Sequence, residues 1–72
     1  MKVLVFRTSL KTEDDINRIK PILDSFSKII EWSVDLEDWE SVLRIETSNP
    51  KIENIISSRL RGIGFDCEDL EL

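Results

Sequence analysis

The stretch Ile30-Glu31-Trp32-Ser33-Val34-Asp35-Leu36-Glu37 alternates apolar and polar residues without a break. A period of two places Ile30, Trp32, Val34 and Leu36 on one side of an extended segment and the polar residues on the other, which describes a strand with one wet face. Glu37-Asp38-Trp39-Glu40 follows as a polar turn. Ser41 to Glu46 then returns as a second strand, with Leu43 and Ile45 directed inward. The two form a hairpin in the middle of the chain.

Outward from the hairpin, each flank carries a helix. Thr12-Glu13-Asp14-Asp15 has the form of a helix start: a side chain able to cap free backbone N–H groups, then acids where the macrodipole favours them. Ile16, Ile19, Leu23 and Phe26 continue as one apolar stripe, so a helix is predicted near 12–26. Pro21 lies off that stripe and is expected to kink the helix rather than end it. On the other flank, Asn49-Pro50 opens a helix near 50–61, with Ile52, Ile55, Ile56, Leu60 and Ile63 as its buried stripe. Gly62 and Gly64 terminate it. The outermost segments, Val3 to Phe6 and Phe65 to Leu72, are predicted as strands. Strand, helix, strand, strand, helix, strand over residues 1–72 is a single α+β domain of the ferredoxin-like βαββαβ kind. It is a four-stranded antiparallel sheet with both helices on one face.

Composition bounds the function. Seventy-two residues carry a net charge of −5 with basic residues scattered singly among acids, which argues against a nucleic-acid or anionic-membrane surface. No apolar run reaches a membrane span, and the start is too short for a signal peptide, so a soluble cytoplasmic protein is expected. Histidine is absent and the single cysteine, Cys67, has no intrachain partner. With no glycine-rich phosphate loop, cofactor motif or nucleophile–base spacing, the chain is not expected to be an enzyme or to hold a cofactor.

The spacing resembles that of the heavy-metal-associated domains, the small copper chaperones and the amino-terminal modules of metal-pumping ATPases. That family's loop reads Met-x-Cys-x-x-Cys, then an apolar residue opening the helix stripe. Counted back from Ile16, Leu10 falls at the methionine, Thr12 at the first cysteine and Asp15 at the second. Ile19, Leu23 and Ile29 fall on further apolar positions, Val34-Asp35-Leu36 resembles the Val-x-Leu strand, and Gly64-Phe65 the pair that ends the second helix beside the metal loop. Lys28 departs from the family's turn glycine. The resemblance implies the fold and, with both thiols replaced, a lost copper(I) site. Copper(I) takes soft thiolates, and a hydroxyl and a carboxylate cannot hold it against intracellular thiols. No tight copper(I) binding is expected. What remains is a copper-chaperone-like binding module with a degenerate site, acting through protein contact.

Other readings attach to particular residues. Carboxylates near Asp15 (Glu13 and Asp14), or Cys67, could instead make an unusual metal carrier, although a capped helix start accounts for those acids and burial for the cysteine. Trp39 is either packed at the sheet edge or part of a contact surface. With Val3 and Val5 turned toward the helices, Leu4, Phe6 and Val42 face the open side of the sheet as a possible interface, for an unknown protein partner or a weak homodimer. The opposite strand parity would put Leu4 and Phe6 inside.

Overall fold

A computed structural model describes residues 2–70. Its elements are β1 (Lys2–Thr8), α1 (Glu13–Asp24), β2 (Ile29–Asp35), β3 (Val42–Thr47), a 3-10 turn (Pro50–Ile52) continuing into α2 (Glu53–Gly62), and β4 (Cys67–Asp69). The strands form one sheet in the order β2-β3-β1-β4, antiparallel at every pairing, so the outer strands of each half flank a central β1–β3 pair. This is the βαββαβ ferredoxin-like fold. Glu71 and Leu72, which the sequence placed in the last strand, lie outside the described residues.

The expected helices are present, α1 shorter at both ends and the second opening as a 3-10 turn before continuing to Gly62. α1 runs through Pro21, which is exposed, and stops at Asp24; Phe26 lies beyond the helix yet still packs against the core. α2 ends on a hydrogen-bonded stop. The Phe65 N–H donates to Leu60 O at 3.1 Å and the Gly64 N–H to Arg61 O at 3.0 Å, with Gly64 at φ 99°. Those crossed bonds need a left-handed residue after the helix, and glycine accepts that conformation without steric penalty.

Strand parity in β1 is the main correction. Leu4 and Phe6 are buried at 5 % and 0 % exposure, whereas Val3 is 46 % exposed. The register pairs Leu4 with Ile45 and Phe6 with Leu43. Directly opposed residues share a face, so the inward Leu43 and Ile45 carry Leu4 and Phe6 with them. Val3 and Val5, expected inside, lie on the open face, and Leu4 and Phe6 are no part of an exposed patch. In β2 a register irregularity between Ile29 and Glu31 turns Ile29 to the core and leaves Ile30 exposed. In α2, Ile55 is also exposed; Ile56 and Leu60, with Ile52 of the 3-10 turn, supply the buried stripe.

Candidate functional site

The connection between β1 and α1, residues 9–12, and the first turn of α1 are where the spacing placed the degenerate ligand positions. Thr12 is extended (φ −134°, ψ 165°) and its hydroxyl accepts the Asp15 N–H at 3.2 Å. Asp15 reaches back, its carboxylate accepting the Lys11 N–H at 2.9 Å. This is a helix cap in two parts: Thr12 satisfies a first-turn donor that the helix leaves free, and Asp15 fastens the N–H of Lys11, the residue before the cap. The structure does bring Thr12 and Asp15 together, and it commits both side chains to the backbone. Glu13 and Asp14 complete an acidic first turn and are exposed.

Around the cap the loop is tied down on three sides. Leu10 is fully buried, and its N–H donates to Thr8 Oγ1 at 3.3 Å, while that hydroxyl donates to Ser41 O at 2.6 Å. Ser9 and Asp66 exchange bonds: the Ser9 N–H donates to Asp66 O at 3.2 Å and the Asp66 N–H to Ser9 Oγ at 2.8 Å. Arg18 of α1 donates to Ile63 O at 3.1 Å and lies 4.9 Å from the centre of the Phe65 ring. Gly64-Phe65 is thereby held at the same end of the molecule as the capped loop.

Cys67 does not join them. It opens β4 opposite Thr8, is 1 % exposed, and belongs to the core cluster. Burial pushes its thiol up to about 11, with Arg61 a smaller opposing influence. Such a thiol is a poor source of thiolate at neutral pH. Among the described residues, no group of three or more Cys, Asp or Glu side chains is placed to hold a metal ion.

Trp39 does not pack at the sheet edge: it is 88 % exposed. Val42 is half-buried at the start of β3, opposite Asp35. A cluster absent from the sequence reading lies beside Trp39. Arg7 of β1 pairs with Glu68 of β4 and approaches Glu40 at 3.8 Å. Arg7 and Glu68 are 61 positions apart, and nothing in local periodicity links them.

The arrangement has the fold of the heavy-metal-associated domains. No protein-family model and no curated protein matches the chain. Solved structures do. The chain is similar in fold to the yeast copper transporter domain Ccc2a, with a TM-score of 0.83 at 17 % identity over 99 % of this chain and 97 % of that one. The solution structure of the Atx1–Cu(I)–Ccc2a complex gives 0.82 at 17 % identity over 99 % and 97 %. The first domain of the human copper chaperone for SOD1, in its copper(I)-loaded form, gives 0.71 at 18 % identity over 93 % and 89 %. At such identities the likeness is one of fold. Among the described residues, no helix is long and apolar enough to cross a membrane.

Proposed function

We propose that this chain is a non-enzymatic cytoplasmic binding module that retains the copper-chaperone scaffold, has lost its copper(I) site, and works by contact with another protein. The observation that carries this reading is the cap at the ligand positions. Thr12 and Asp15 are engaged as helix-capping groups, at 3.2 Å and 2.9 Å from the N–H groups they accept. A hydroxyl and a hard carboxylate already hydrogen-bonded in this way offer a soft monovalent ion nothing to exchange for its thiolates. The lone thiol is buried in the core on β4. Contact with another domain is a use to which this fold is put in the Atx1–Cu(I)–Ccc2a complex.

Titration of the native protein with copper(I) against a competing chelator tests the reading. The expected result is that the chelator keeps the metal. Tight stoichiometric binding that disappears in Cys67→Ser would overturn the proposal in favour of an unusual metal carrier.

A further inference from the structure

Trp39 is the largest side chain at the surface, and its surroundings are built rather than loose. The turn that carries it is held by its own carboxylates: Asp35 Oδ1 accepts the N–H groups of Glu37 and Asp38 at 3.1 and 3.3 Å, and Asp38 Oδ1 accepts that of Glu40 at 2.9 Å. Ser41 closes the turn at φ 47°, a left-handed conformation that disfavours any residue with a Cβ. Two bonds hold it there. The Thr8 N–H donates to Glu40 O at 3.1 Å, and the Thr8 hydroxyl donates to Ser41 O at 2.6 Å. The backbone that carries the indole is thereby held in place, so a ligand does not have to order the turn when it stacks there.

Beside the indole runs a shallow groove lined by Arg7, Thr8, Trp39, Glu40, Asp66 and Glu68. Three carboxylates and one guanidinium line it, and Arg7 is already paired with Glu68 and close to Glu40. A net negative groove against an exposed aromatic face disfavours phosphate groups of nucleic acid or lipid. It suits a planar cation, which can stack on indole while donating in pairs to a carboxylate.

We propose that the Trp39 turn and the adjoining acidic groove form the docking surface for an arginine-bearing segment of a partner protein. The proposal deepens the protein-contact reading and rests on it. The test is titration of the full chain with an unstructured nonapeptide carrying three arginines, and with its lysine counterpart, followed by tryptophan fluorescence and calorimetry. The arginine peptide is expected to saturate below about 1 mM, to weaken as salt is raised, and to bind more tightly than the lysine peptide. Trp39→Ala, at a position with no core contact to lose, is expected to weaken binding about tenfold, and Asp66→Asn about threefold. A folded Trp39→Ala variant with unchanged affinity, equal binding of the two peptides, or no saturable binding would each overturn the docking surface. Any of these together with absent copper(I) binding removes the docking surface and leaves the module reading standing. Tight copper(I) uptake by the native chain removes the module reading, whatever the peptide does.

Discussion

Replacing the cap with the family's thiols, as Thr12→Cys with Asp15→Cys, puts the central argument to a quantitative test. The native cap has two parts. The Thr12 hydroxyl on the Asp15 N–H contributes about 1 kcal/mol, as N-caps do. The Asp15 carboxylate on the Lys11 N–H, favoured also by the helix dipole, contributes about another 1 kcal/mol on a partly solvated surface. The metal-free double variant should therefore lose about 2 kcal/mol, or roughly 10 °C in Tm for a domain of this size. Copper(I) should more than restore it, since a ligand at a thousand times its Kd stabilises the folded state by about 4 kcal/mol. The assay is thermal unfolding by circular dichroism under reducing conditions, with and without copper(I), on native and variant protein. The native Tm should not move with metal. A folded double variant whose Tm is also indifferent to copper(I) would refute the proposal that the chain retains the copper-chaperone scaffold at this loop. A metal-free variant as stable as the native protein would refute the claim that Thr12 and Asp15 are structural caps.

Three further outcomes follow from the fold. Leu4→Ala should lower stability by about 2–5 kcal/mol in urea unfolding, whereas Val3→Ala, next to it but on the open face, should cost about 1 kcal/mol or less. Reversal of that order would mean the strand parity is wrong. Gly64→Ala should destabilise by about 1–2 kcal/mol because Gly64 lies at φ 99°, while Gly62→Ala, helical and with nothing within 4 Å of the added carbon, should be neutral or stabilising. Equal effects in thermal melts would contradict the assigned helix stop. Burial raises the Cys67 pKa from 9.0 to about 11, so the unfolded chain releases that proton first and binds fewer protons between those values. Stability should accordingly fall as pH rises from 9 to 11, and the fall should vanish in Cys67→Ala. A pH-independent difference between the two proteins would refute the burial argument.

Interactions that span three or four residues were legible in the sequence. Thr12 as a cap, the Ile19 and Leu23 stripe, the Asn49-Pro50 start and the glycine stop all depend on local backbone geometry, and the structure contains each of them. The alternation across Trp32 and Val34 determined the hairpin, because only one face of that strand is apolar. In Val3-Leu4-Val5-Phe6 both faces are apolar, so periodicity could not choose between them. Register against β3 made the choice, turning the two larger side chains toward the helices. The displacement of Ile30 likewise arises from an irregularity in strand pairing, which no single strand's pattern encodes. Trp39 beside Arg7, Asp66 and Glu68 is a neighbourhood assembled from three elements distant in the chain. Contacts within a turn of backbone are set by the residues that make them, while the partner across a sheet or between loops exists only once the chain has closed.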